Sequence, residues 1–300
     1  MKSILCFGLF LLATAALADE PYIYVLGVAQ DAGYPQAACY REHCMPGWED
    51  RDRRITTSSI AVVDTDASYL FDATPDFPDQ LYRLNTAAPD ATLSGIFLTH
   101  AHIGHYTGLM HLGREVMGAS AMPVYAMPRM KAFLETNGPW SQLVSLRNIA
   151  LQPLQDETTL RLGAISVTPF TVPHRDEYSE TVGYRIDGPN KSAVFVPDID
   201  KWEKWSTNIV DVVRDVDYAL IDATFFADGE LPNRAMSEVP HPFVVESMAL
   251  FDALADEERS RVIFIHMNHT NPLLDTDSEA VERVIEAGYR VAREGMKLGL

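Results

Sequence analysis

LTHAHIGHYTGL, residues 98–109, continues directly from the apolar run SGIF at 94–97. A short apolar run of this kind predicts a buried strand. The strand empties into three histidines: His100 and His102 stand one residue apart at its end, and His105 falls where the next helix starts. Alternate positions can converge once a chain leaves a sheet, so three imidazoles reach one point without a long loop. Neutral imidazole is the commonest protein ligand for zinc. The ordinary alternative, three surface histidines in a loop, sits poorly with a chain that has only 9 histidines in 300 residues.

On the amino-terminal side, YIYVLGVA (22–29), SSIAVVD (58–64) and SYLFDA (68–73) read as strands, and FPDQLYRLNTA (77–87) has helical spacing. Beyond the histidines, GLMHLGREVMG (108–118) predicts a helix, PVYAMP (123–128) a strand and MKAFLETN (130–137) a helix. Three short strands are expected between residues 150 and 173. TVGYRID (181–187) and SAVFVPD (192–198) form a hairpin across GPNK. The second half adds a helix around WEKWSTNIVDVVRDV (202–216), a strand YALIDA (218–223), a helix PFVVESMALFDALA (242–255), a strand RVIFIH (261–266), a helix SEAVERVIEAG (278–288) and a closing strand. No proline-rich or glycine-rich linker divides the chain, so the expectation is one domain over 19–300 with two similar halves, each a sheet with helices packed outside.

The segments LFDATPD, LTHAHIGHYTGL, VPH, VFVPDID and IFIHMNH occur in this order. Together they resemble the motif series of the metallo-β-lactamase superfamily, and the resemblance spans nearly the whole chain after residue 19. It implies an αββα sandwich with metal ligands on loops at the sheet edges. Carried over, His100, His102 and His174 would hold one metal, Asp198 would bridge, and His105 with His266 would hold a second. Asp72 would support the histidine loop from behind. GVAQDAGYPQAAC, HIGHYTGL, IDATFF, HMNHTNPLLD and EGMKL are similar, end to end, to the pyrroloquinoline quinone biosynthesis protein B family.

Two departures matter. The superfamily motif has aspartate immediately before its third histidine, where this chain has Gly104, and the biosynthesis family tends to lack the first two histidines, which this chain keeps. Without that aspartate the two half-sites are unequal. The first, three histidines and an open position, is the arrangement that activates water on zinc. His105, His266 and Asp198 make two histidines and a carboxylate, a set that also suits Fe(II). The expectation is therefore one or two Zn(2+) ions, with the second site weak or filled by another metal such as Fe(2+). His269 either replaces the missing ligand or merely flanks the site, and His111, one turn into an apolar helical stretch, is expected to be a packed or surface histidine, not a ligand. Asp222 and His241 resemble the carboxylate and histidine with which tRNA-end-processing ribonucleases of the superfamily protonate a leaving group. The bland alternative is a capping aspartate and a loop histidine. Trp48, Tyr178 and Phe226 are candidate apolar walls, for which core packing is the ordinary alternative.

MKSILCFGLFLLATAALA, residues 1–18, has a lysine, an apolar run too short to span a bilayer and small residues before Asp19, the pattern of a secretory signal peptide. A periplasmic or secreted location follows. Removing that segment leaves 23 basic against 42 acidic side chains, so the net charge moves from −18 to −19. Such a surface repels phosphate backbones and anionic lipid, so neither nucleic acid nor a membrane is an expected partner. Cys39 and Cys44, in AACYREHC (37–44), suit a short disulfide in an oxidising compartment, with a metal knuckle through His43 as the alternative. No G-x-S-x-G elbow or Walker loop is present. The functional expectation is a hydrolase that attacks a small-molecule ester, lactone, amide or phosphodiester through a metal-bound hydroxide, with Asp198, Asp222 and His241 in the chemistry. The rival readings are an iron-dependent oxygenase and a non-catalytic carrier with a degenerate site.

Overall fold

The computed structural model describes residues 20–231 and 235–300; the signal-peptide reading lies outside the described residues. The strands are β1 (Tyr22–Gly27), β2 (Ser59–Asp64), β3 (Ala67–Phe71), β4 (Thr92–Phe97), β5 (Met122–Ala126), β6 (Ile149–Pro153), β7 (Leu160–Leu162), β8 (Ile165–Thr171), β9 (Val182–Asp187), β10 (Ser192–Val196), β11 (Tyr218–Asp222), β12 (Val262–Ile265), β13 (Arg290–Val291) and β14 (Lys297–Gly299). They form two seven-stranded sheets, in the orders β14-β1-β2-β3-β4-β5-β6 and β13-β12-β11-β10-β9-β8-β7.

Side chains alternate across a strand, so a strand covered on both faces reads as continuously apolar. In β2, Ile60 and Val62 enter the core between the sheets, while Ala61 and Val63 enter a second core under the outer helices. Phe71 and Leu70 divide in the same way on β3, as do Phe97 and Ile96 on β4. Phe71 crosses the gap to Tyr184 and Phe195 of the other sheet at 5.2 and 6.4 Å. Helices such as Phe77–Ala87, Pro128–Thr136 and Glu279–Glu286 cover the outer faces, giving the expected αββα sandwich.

Two expected helices are corrected. Residues 108–118 do not form an α-helix: a 3-10 segment, Thr107–Leu112, gives way to turns. Gly108 presses its backbone against the first turn after β3, where a Cβ would stand 2.1 Å from the Thr74 carbonyl oxygen, and this close approach fixes the path. The long helix at 202–216 is divided into a 3-10 turn, Trp202–Lys204, and a helix, Ile209–Arg214, because the Asn208 side chain accepts from the Val210 amide and starts a new helix there.

Candidate metal centre

One edge of the sandwich collects the ends of seven strands. Asp31 follows β1, Asp72 follows β3, His100 and His102 follow β4, His174 follows β8 and Asp198 follows β10. Asp222 ends β11 and His266 follows β12, while His105 sits on a single helical turn, Ile103–Tyr106. Asp72 and His266 take left-handed backbone conformations, with φ of 70° and 67°. Non-glycine residues adopt these rarely, and such outliers concentrate at functional sites.

The first half-site gathers His100, His102, His174 and Asp198. His100 Nε2 lies 2.8 Å from His102 Nδ1, and His174 Nε2 lies 3.3 Å from the same atom. Asp198 Oδ2 is 3.3, 3.2 and 4.0 Å from His100 Nε2, His174 Nε2 and His102 Nδ1. Four donors about 2.0–2.1 Å from a tetrahedral ion stand roughly 3.4 Å apart, so these spacings fit one zinc-sized ion. The outer nitrogens of His102 and His100 are also engaged, and that of His174 faces a carboxylate without an aligned hydrogen bond. His102 Nε2 donates to Glu177 at 3.0 Å, His100 Nδ1 lies 3.0 Å from the Thr99 hydroxyl, and His174 Nδ1 approaches Asp200 at 3.4 Å.

The second half-site gathers His105, His266 and Asp198 as expected, together with Asp31. Asp31 Oδ1 is 3.1 Å from His105 Nε2 and 3.8 Å from His266 Nε2, and Asp198 Oδ2 is 3.9 Å from His105 Nε2. Asp31 Oδ1, His105 Nε2 and His266 Nε2 are all buried, and none has an aligned hydrogen bond. Converging buried donors left without partners are costly unless something binds them, and these fit a metal. Behind His105, Nδ1 donates to Asp72 at 2.7 Å, and the Thr99 amide and hydroxyl hold the same carboxylate. Asp72 therefore stands where the sequence expects it. Thr224 performs the same service for His266, its hydroxyl 3.1 Å from Nδ1.

His241 Nδ1 lies 2.9 Å from Asp222 Oδ2 and 3.2 Å from Asp198 Oδ1, at the rim of the first half-site; the His174 and His241 rings are 5.5 Å apart. The expected pair is therefore brought together, and it is brought to the metal ligands as well. Of the two alternatives for His269, the structure does not bring it into the ligand set: it lies outside both half-sites and stands beside His43 and the Cys39–Cys44 loop, its ring 5.7 Å from that of His43. The strand end that aims His266 inward is followed by a turn that carries His269 to another face. Cys39 and Cys44 form the disulfide. His111 packs, stacked 6.1 Å from Phe77. Trp48 donates to the Cys39 carbonyl under Arg54, Tyr178 is exposed beside Phe133, and Phe226 lies under Arg283.

Charge is concentrated here. Burial works against the ionised form of Asp198, but His174, His241, His100 and His102 outweigh it and hold this carboxyl well below the usual range. Burial likewise opposes charge on His174, and Asp198 overcomes it, pushing the imidazole up to about 10. His105 is raised well above the usual range, against its burial, by Asp72 and Asp31. His100 moves the other way, through burial and the neighbouring charge of His105. These directions favour protonated imidazoles beside the carboxylates, so metal binding here would be coupled to proton release.

A family model described as the beta-lactamase superfamily domain matches residues 68–267, from β3 through the residue after His266. The chain belongs to the beta-lactamase superfamily. It is similar to the coenzyme PQQ synthesis protein B of Xanthomonas axonopodis pv. citri, 27% identical over 93% of this chain and 99% of that one. Among solved structures, the zinc-bound PqqB of Methylobacterium extorquens superposes with a TM-score of 0.78 at 24% identity, covering 93% of this chain and 100% of that one. A diphosphatase of the PhnP family superposes with a TM-score of 0.65 at 21% identity, covering 94% and 97%. These structural likenesses bear on the fold. Asp31, Glu177, Asp200 and Thr224 are the site residues that the sequence alone leaves unmarked. For Asp31 the one signal is that it is the aspartate of the GVAQDAGYPQ pattern, residues 27–36, in the loop after β1.

Proposed function

We propose that this protein is an exported metal-dependent hydrolase of a small-molecule ester, lactone, amide or phosphodiester, with zinc in the first half-site. The observation that carries this reading is the convergence of His100 Nε2, His102 Nδ1, His174 Nε2 and Asp198 Oδ2 at the spacing of one ion's ligands. A zinc ion held there supplies Lewis acidity and an activated water near neutral pH. The chain's own residues do the rest. Asp198 orients toward both half-sites, and Asp222 fixes the His241 ring through Nδ1, leaving the opposite nitrogen to protonate a leaving group. The formal charge of −18 favours a small substrate over nucleic acid.

A second reading, an iron-dependent oxygenase, is favoured by the histidine and carboxylate set around His105 and His266, a donor set that also suits Fe(II). Two assays on metal-stripped protein separate them: release of nitrophenol from nitrophenyl esters and bis(nitrophenyl) phosphate after zinc is restored, and oxygen uptake after iron is restored. Hydrolysis with zinc supports the first reading. Oxygen uptake with iron and no hydrolysis would replace it.

A further inference from the structure

Gly104 occupies the place of the superfamily's aspartate, and its environment is specific. A Cβ built on it would stand 2.4 Å from Asp31 Cα and 2.6 Å from Asp31 Oδ1, so no side chain fits there while the loop after β1 keeps its path. The space of the missing carboxylate is filled by another carboxylate. That loop is tightly fastened: the Gln30 amide donates to the Met267 carbonyl and the Met267 amide to the Val28 carbonyl, both at 2.8 Å. The Asn268 side chain donates to Gln30 Oε1 at 2.7 Å. Asp31 is thereby stitched to the residues that immediately follow His266.

We infer that Asp31 is a direct ligand of the second metal, supplied from the loop after β1 in place of the aspartate lost at Gly104. This rests on the reading of the centre as a metal site. Asp31 Oδ1 and the Nε2 atoms of His105 and His266 point into one volume with no aligned hydrogen bonds, as donors awaiting an ion do. With Asp198 they make two imidazoles and two carboxylates, a full first coordination set. The ligand-poor second half-site expected from the sequence is therefore complete. Glycine at 104 is what admits the loop.

Zinc stoichiometry and affinity of metal-stripped protein, measured for wild type and Asp31→Asn, test the assignment. Wild type should take up two ions and the variant one, with second-site affinity weakened roughly a hundredfold or more, beyond the 10–100-fold typical of an outer partner. Asp31→Cys loaded with cobalt(II) should add a sulfur-to-cobalt charge-transfer band, because the thiolate would replace a ligand. Two ions held by Asp31→Asn at wild-type affinity, or a cobalt-loaded Asp31→Cys of unchanged circular dichroism without that band, would overturn the ligand assignment alone. A single ion in wild type would overturn the two-metal reading and the assignment with it.

Discussion

Asp198 Oδ2 lies within 3.2–4.0 Å of a nitrogen on each of four histidines, three of the first half-site and one of the second, while Oδ1 faces His241. One carboxylate thus links both metal positions and the candidate acid. Nδ1 of His241 is turned to Asp198 and Asp222, which places the ring beside the candidate metal positions and outside the first half-site's set, where the proposed function uses it as the acid. His241→Ala should leave zinc content unchanged. It should lower kcat by roughly 10²–10⁴-fold on substrates with a poor leaving group, and much less on nitrophenyl substrates that need no proton. Equal losses on both would remove His241 from the acid role. At this scale the histidines were legible because strand followed by H-x-H is a rare pattern. Asp31 was not, since an aspartate in a turn-rich loop looks like any turn residue until the space at Gly104 is seen.

The elements work as a frame for these side chains. β3 and β4 pair in parallel and their ends exchange Asp72, Thr99 and His105, so the carboxylate that orients His105 is fixed by two strands and a left-handed residue. Asp72→Asn keeps the volume and most of the hydrogen bonds but weakens the acceptor. It should lower affinity at the second half-site by about 10–100-fold with little change at the first, read by zinc titration. Equal weakening of both sites would make Asp72 a general support of the fold. Strands were readable because apolar runs and alternation survive in any context. The two misread helices failed for different reasons: Gly108 meets Thr74 across a gap of 34 residues, a long-range fact, whereas Asn208 makes a local cap to Val210 where a continuous amphipathic pattern suggests no break. His269 was ambiguous for a similar reason, because the turn after β12 decides which face it joins.

Over the whole molecule, two mixed sheets put seven strand ends on one edge, and the candidate metal ligands come from both sheets. The centre therefore forms only when the sandwich closes, which ties metal binding to folding. The short Cys39–Cys44 bridge contributes roughly 2 kcal/mol in the chain-entropy model and agrees with an oxidising compartment. The proposed export makes a direct prediction. Expressed from its full sequence in a bacterium with a periplasm, the protein should appear in the periplasmic fraction with a mass that begins at Asp19; a full-length mass in the cytoplasm would refute it. Zinc-dependent hydrolysis is tested most directly by turnover of the best nitrophenyl substrate as zinc is titrated into metal-stripped protein. No activity is expected without metal, and a rise should follow zinc occupancy to saturation, abolished by His100→Ala. Full zinc occupancy without hydrolysis, or hydrolysis that survives complete removal of metal, would contradict it.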